Sequence, residues 1–365
     1  MPADGQSTYS AADRLLHRLA FSAPGLQQAL ADVEDRLYAR QIGAIAIQRP
    51  LFVTSLPRAG TTLLTEVIGS LPEFAAHTYR EMPFLACPLL WQKISRPFRR
   101  EAVARERAHG DGMQVGFDSV EAFEEALWHA FWPSRYQPDR IVPWGAHVED
   151  ESPEFDAFFR NHLRKLILLR RGQHPEAARY LSKNNGNVAR TARLVEMFPD
   201  AIVLVPFRDP VDHVGSLLHQ HRNFSAIHRQ DPFARQYMRD IGHFDFGANL
   251  KPIDFDGWLG TAGPLDPMAG DFWLRYWCAT FDYLLANRPV NLQFLSYERC
   301  CAAPHAALET LAVAIDVVAQ REQLLRHAGR FRAPRAYDAQ QLGLDPVVLS
   351  RARELHGRLL AVAVA

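Results

Sequence analysis

Leu51-Phe52-Val53-Thr54-Ser55-Leu56-Pro57-Arg58-Ala59-Gly60-Thr61-Thr62-Leu63-Leu64 is an apolar run that passes through a tight turn into a segment of helical period. Leu51 to Leu56 reads as a buried β-strand behind the punctuation of Arg49-Pro50, and Pro57 to about Ser70 as a turn followed by a helix. Such a join is an anion cradle. The free N–H groups of the first helical turn and the macrodipole point at one place, and Gly60 lets the backbone come close to it. Thr61 and Thr62 add hydroxyl donors, and Arg58 adds a charge. An ATP or GTP loop needs a glycine at its start and a lysine after its last glycine, G-x-x-x-x-G-K-[ST]. Here both are missing, and the arginine precedes the glycine by two positions. The bland alternative is a strand-to-helix turn capped by threonine.

Outward from this turn, Tyr180-Leu181-Ser182, Ala201 to Phe207 and Asn291 to Tyr297 are further strand-like runs with helical patterns between them. The segment Asn187 to Met197 predicts a helix that stops at Phe198-Pro199-Asp200 before the next strand. This β-α-β rhythm predicts an α/β fold with a central parallel sheet flanked by helices. Residues 1–47 read as a helical lead-in of two helices broken at Pro24, residues 48–316 as the main domain, and 317–365 as a helical extension packed on it. Two stretches break the rhythm, 84–173 and 222–271. They are rich in aromatics and proline and read as insertions that build a pocket. The seven tryptophans read first as core filling and second as pocket lining.

The second informative segment is Val203-Leu204-Val205-Pro206-Phe207-Arg208-Asp209-Pro210-Val211-Asp212-His213-Val214-Gly215-Ser216. An arginine at a strand end and a serine in the next helix can converge on one phosphate. Alone, Arg208-Asp209-Pro210 reads as a strand-ending turn with a local ion pair. Two phosphate clamps together suit a nucleotide phosphorylated at both its 5′ and 3′ positions. ATP has no use for the second.

Pro57-Arg58-Ala59-Gly60-Thr61-Thr62 resembles the 5′-phosphosulfate loop, P-[KR]-[SA]-G-T-T, of sulfotransferases that use 3′-phosphoadenosine 5′-phosphosulfate (PAPS). Arg208 to Ser216 resembles that family's 3′-phosphate site, R-[DN]-P with a serine eight positions after the arginine. The likeness extends over Tyr180 to Asn185, Phe198-Pro199-Asp200-Ala201, Trp273 to Trp277 and Leu295 to Arg299. In motif style it is nearest to the bacterial-type members close to the tyrosylprotein and heparan-sulfate branch.

The resemblance implies a P-loop NTPase-like sulfotransferase fold. It implies PAPS as cosubstrate, no metal, and in-line transfer of the sulfuryl group to an acceptor hydroxyl or amine. Arg58, Ala59, Gly60, Thr61, Thr62, Arg208, Ser216 and Tyr297 would then bind the cosubstrate, and Arg58 would steady the leaving group. Lys183, at a strand end, would contact the sulfuryl oxygens. A base must take the acceptor proton. The glutamate that does this in the named branch matches Glu81, with His77 as the other candidate. The cytosolic branch's histidine position is Asn185 here. Against these stand plainer readings: Glu81 paired with Arg80, Lys183 solvated, and Tyr297 a buried strand tyrosine. Gln220 stands where some relatives carry a basic residue, and Arg330, Arg332 and Arg335 could close over the nucleotide or be merely solvated.

Composition bounds the partners. Lysine plus arginine equals aspartate plus glutamate, 41 each, so no global field favours nucleic acid or a membrane surface. Cys87, Cys278, Cys300 and Cys301 suit neither a disulfide framework nor a metal ribbon. Met1 to Ser10 lacks the pattern of a signal peptide. No apolar run approaches the roughly 20 residues needed to span a bilayer, so the expectation is a cytoplasmic protein without a membrane span. The acceptor can be a small molecule such as a phenol, a lipid, a sugar or a peptide side chain, and oligomeric state is not legible. A P-loop kinase or NTPase that has drifted from its motif, and a non-catalytic nucleotide-binding relative, are the competing classes.

Overall fold

A computed structural model describes residues 11–21, 24–96, 105–106, 114–115, 123–145, 152–261 and 263–365. The polar stretch Met1 to Ser10 and parts of the 84–173 insertion lie outside them. Five strands, β1 (Leu51–Val53), β2 (Phe74–Ala75), β3 (Arg179–Lys183), β4 (Ile202–Phe207) and β5 (Leu292–Ser296), form one parallel sheet in the order β2-β3-β1-β4-β5. The α/β architecture expected from the sequence is the one that forms.

Alternate side chains along each strand enter opposite layers. Phe52, Tyr180, Val203, Val205, Phe207 and Phe294 pack on one face. Leu51, Val53, Leu181, Leu204 and Leu295 pack on the other, against Leu64, Val67 and Ile68 of the helix Thr61–Gly69 and Leu308 and Leu311 of a later helix. Burial on both faces explains why these strands read as continuous apolar runs. β1 ends at Val53 rather than Leu56, although Thr54 N–H still reaches Leu204 O at 3.0 Å. β2 has only two residues and left no pattern in the sequence.

Three lead-in helices form where two were expected: Ala11–Phe21, Pro24–Leu37 and Ala39–Gly43. Pro24 opens the second of them, where its missing N–H costs nothing. The lead-in is tied to the helix Pro153–Arg171 by the buried Lys165 ammonium, 3.1 Å from Glu34 and 2.5 Å from Asp35. The predicted helix Asn187–Met197 is a 3-10 turn, Asn185–Arg190, followed by an α-helix, Thr191–Met197. The C-terminal helix Pro346–Val362 sends Ala352, Leu355 and Leu359 into the same core as Trp277 and Phe294. Beyond it, Val364 N–H donates to Phe294 O at 2.9 Å and Ala365 O accepts from Ser296 N–H at 2.8 Å, so the chain's last residues line the edge of β5.

Six of the seven tryptophans are buried in the core, Trp128, Trp132, Trp144, Trp258, Trp273 and Trp277. Core filling is thus the main use of these rings. Among the described residues no helix is long and apolar enough to cross a membrane.

Candidate functional site

After β1 the chain turns through Thr54 to Gly60 and starts the helix Thr61–Gly69. Arg58 and Gly60 both lie in the left-handed region, with φ of 72° and 90°. Gly60 is required twice over. Its positive φ disfavours a side chain, and a Cβ there would lie 2.5 Å from Cδ2 of Tyr297. Tyr297 is the first residue of a helix, Tyr297–Ala302, rather than a strand residue. Its ring covers the loop, and burial pushes its hydroxyl up to about 12.

β4 ends at Phe207 and delivers Arg208. Asp209 then caps the helix Pro210–Gln230, accepting from the N–H groups of Val211 at 2.9 Å and Asp212 at 3.2 Å, with Pro210 at the first helical position. A cap of this kind is worth about 1 kcal/mol. The plain reading of Arg208-Asp209-Pro210 therefore holds for the strand-ending turn, while the carboxylate facing Arg208 is the distant Glu298. The reading is also incomplete, because the two motifs interlock. Arg208 Nη1 donates to the backbone carbonyl of Arg58 at 3.1 Å, and Arg58 Nε donates to Ser216 Oγ at 3.3 Å. Arg208 is buried, its Nε stands 3.7 Å from Glu298, and its Nη2 has no hydrogen-bond partner. Glu298 also accepts from Asp209 N–H at 3.1 Å, and burial holds its carboxyl above the usual range.

Two supports of this site were not read from the sequence. His213 Nε2 lies 2.8 Å from the carbonyl of Pro57, so that nitrogen carries the proton. Burial, reinforced by Arg208, pushes its pKa down to about 3, and the ring is neutral. The second support is Tyr337. Its ring packs on Gly215, where a Cβ would lie 2.2 Å from Tyr337 Cγ, and its N–H donates to Asp212 at 2.8 Å. Arg335 lies 5.1 Å over that ring, and Phe331 is 6.5 Å from the ring of Tyr297. Arg330 is ion-paired with Glu66 of the loop helix, and Arg332 O accepts from Cys301 Sγ at 3.1 Å. The 330–337 segment thus runs over both motifs.

On the other side of the loop, Lys183 ends β3 in register with Val53 of β1 and is buried. Glu81 is also buried, in the short 3-10 turn Tyr79–Glu81. Its carboxylate closes a capping box, accepting from Thr78 N–H and from Thr78 Oγ1 at 3.0 and 3.2 Å. His77 is turned into the interior, 2.9 Å from Nε2 of His162, and burial pushes its pKa down to about 3.

Beside the loop lies a narrow cleft of about 30 Å³, walled by Pro57, Asn184 and Asn185 and by residues of both insertions. Glu125 and Ile141 come from the first insertion; His243, Asp245 and Lys251 come from the second. Asn185 Nδ2 donates to Asp245 at 3.1 Å, and His243 Nδ1 is 3.8 Å from the same carboxylate oxygen. Glu125 anchors the walls. It accepts from Tyr136 at 2.6 Å and from Asn184 at 2.8 Å and pairs with buried Arg190, while Gly186 and Gly242 pack directly on its side chain. The sequence reading missed His243, Asp245 and Glu125. Among the described residues no cluster of His, Cys, Asp and Glu has the arrangement of a metal site.

The chain is similar to the crystal structure of sulfotransferase STF1 from Mycobacterium tuberculosis H37Rv, at 15% identity over 93% of this chain and 84% of that one, TM-score 0.49. It is likewise similar to sulfotransferase STF9 from Mycobacterium avium, at 15% identity over 91% and 80%, TM-score 0.47. No curated protein matches the sequence significantly. Residues 50–245, more than half of the chain and the span that carries both strand-helix motifs, match the sulfotransferase family, and the chain belongs to that family.

Proposed function

We propose that this protein transfers the sulfuryl group of PAPS to an acceptor hydroxyl or amine by in-line displacement. The observation that carries the reading is the contact between the two motifs: Arg208 donates to the carbonyl of Arg58 while Arg58 reaches Ser216. Cations this close suit the two phosphates of one ribose 3′,5′-bisphosphate. Nη2 of Arg208, buried and without a hydrogen-bond partner, is the kind of donor an oxyanion satisfies. A P-loop kinase or NTPase has no counterpart to this second clamp.

PAPS, when bound, supplies an activated sulfuryl group on a phosphate leaving group. The chain's own residues do the rest. The N–H groups of Ala59, Gly60, Thr61 and Thr62 and the two threonine hydroxyls hold the 5′-phosphate, and Arg208 and Ser216 hold the 3′-phosphate. Arg58 and Lys183 spread the charge that develops on the sulfuryl oxygens and the leaving phosphate. Tyr297 and the 330–337 segment exclude water from the nucleotide. Glu81 takes the acceptor proton in this reading. One observation favours His243 as a second candidate for that task, because it lines the cleft beside Asp245.

The test is a transfer assay with labelled PAPS against phenols, amino sugars, alcohols and tyrosyl peptides, paired with thermal shift. 3′-Phosphoadenosine 5′-phosphate without magnesium is expected to raise Tm, since a ligand at 100 times its Kd adds about 2.7 kcal/mol. Stabilisation by magnesium-ATP alone overturns the proposal.

A further inference from the structure

The cleft beside Pro57 is small and carries charge. Its volume of about 30 Å³ is room for roughly two water-sized groups, since one needs about 10–15 Å³. It therefore takes the polar end of a small molecule rather than a ring or a long chain.

Most charges around it are already matched. Glu125 is paired with Arg190 and accepts from Tyr136 and Asn184. The Lys251 ammonium donates to the main-chain carbonyls of Gln137 and Pro138. Asp245 is the exception. Its Oδ2 accepts from Asn185 Nδ2 at 3.1 Å, and His243 Nδ1 stands 3.8 Å from that same oxygen, beyond hydrogen-bond reach. Its Oδ1 accepts no hydrogen bond, and among the described residues neither lysine nor arginine pairs with it. The Asp245 side chain is 26% exposed, so a solute can reach it.

Asn185 sharpens the demand. A carboxylate only accepts, so the amide must turn its nitrogen to Asp245 and its Oδ1 the other way. That Oδ1 is buried and has no hydrogen-bond partner. Thr54 Oγ1 donates to the backbone carbonyl of Asn185 at 3.3 Å, which holds the pair beside the turn that follows β1. Two acceptor oxygens and one negative charge thus stand together, and Phe244, Trp273 and Tyr276 supply aromatic walls, which attract cations. A matching ligand brings N–H donors and a positive charge. An anionic group is repelled.

We infer that the acceptor is a small amino alcohol whose primary ammonium binds Asp245 and Asn185 while its hydroxyl is the group sulfated. The inference names an acceptor class within the sulfuryl-transfer reading and rests on it for the reaction, but not for the binding. The ammonium keeps its proton and so has no lone pair to attack sulfur. The hydroxyl gives its proton to the base, the new S–O bond forms, and the electron pair of the broken S–O bond leaves on the phosphate of PAPS.

The experiment compares ethanolamine and 3-aminopropanol with ethanol, propanol and choline, with PAPS as donor, on the full chain and on Asp245→Asn. The substitution keeps the shape, and the new amide oxygen can still accept from Asn185, so the fold tolerates it. Binding of each compound is measured alongside by NMR titration without PAPS. The expected result is a kcat/KM for an amino alcohol at least about tenfold above the plain alcohol of the same length, the scale of a charged hydrogen bond, with that advantage and the binding lost in Asp245→Asn. Choline, whose nitrogen has no N–H and three added methyl groups, is expected to bind at least about tenfold more weakly than ethanolamine. Choline that matches ethanolamine in binding overturns the inference without recourse to the variant. Plain alcohols turned over as well as amino alcohols overturn it and leave sulfuryl transfer standing. Amino alcohol binding that Asp245→Asn weakens, with no transfer to any alcohol, supports the ammonium site and counts against the transfer reading. Amino alcohols that do not bind, or bind both proteins equally, overturn the inference.

Discussion

His213 and Pro57 are joined by a 2.8 Å hydrogen bond from a fully buried imidazole to the carbonyl that opens the phosphosulfate-type loop. The bond fixes the loop to the helix Pro210–Gln230. Because the pKa of His213 is held near 3 in the folded protein against an ordinary 6.5, the unfolded chain binds the extra proton first as pH falls. The stability this group contributes is complete above about pH 6.5 and is lost progressively down to about pH 3, by up to roughly 1.4 kcal/mol per pH unit. Urea unfolding at pH 7, 5.5 and 4.5 measures the slope. His213→Gln is expected to flatten it, and an unchanged slope argues that the ring is charged in the native state.

Arg208→Ala is expected to weaken 3′-phosphoadenosine 5′-phosphate by about 100-fold, the usual scale for losing a buried charged hydrogen-bond partner. Adenosine 5′-phosphosulfate, which lacks the 3′-phosphate, is expected to lose much less. Calorimetric titration of both nucleotides gives the ratio, and equal losses contradict the assignment of Arg208 to the 3′-phosphate.

Glu81→Gln is expected to cut kcat by about 100-fold or more while nucleotide affinity holds. His243→Gln is expected to raise the acceptor KM and leave kcat within about threefold. A pH profile of kcat for each variant separates the two, and the opposite pattern moves the base role to His243.

Gly60→Ala adds a Cβ 2.5 Å from the Tyr297 ring at a φ of 90°. The expected cost is about 1–3 kcal/mol of stability, read as a fall in Tm of several degrees. Combining it with Tyr297→Ala relieves the collision but not the backbone cost. A double-mutant cycle should therefore show a non-zero coupling between the two sites.

The sheet was legible because β1, β3, β4 and β5 are buried on both faces and so write continuous apolar runs. The same cause hid β2, since two residues cannot establish a period. The two strand-helix joins could be read because each is built from consecutive residues, so the sequence carries Gly60, the two threonines, Arg208 and Ser216 at fixed offsets. Tyr337 on Gly215, His213 on Pro57 and Asp245 beside Asn185 are joined across long stretches of chain, and nothing local to either partner records them. His213 shows the limit well. It stood inside the quoted motif, but its neutrality comes from burial that only the packed fold supplies.

The last residues of the chain, 363–365, occupy part of the hydrogen-bonding line of β5. An outer strand of a parallel sheet ordinarily offers its backbone as a template to any extended peptide that meets it. Here that side is already taken by the protein's own tail, which guards against strand-by-strand self-association.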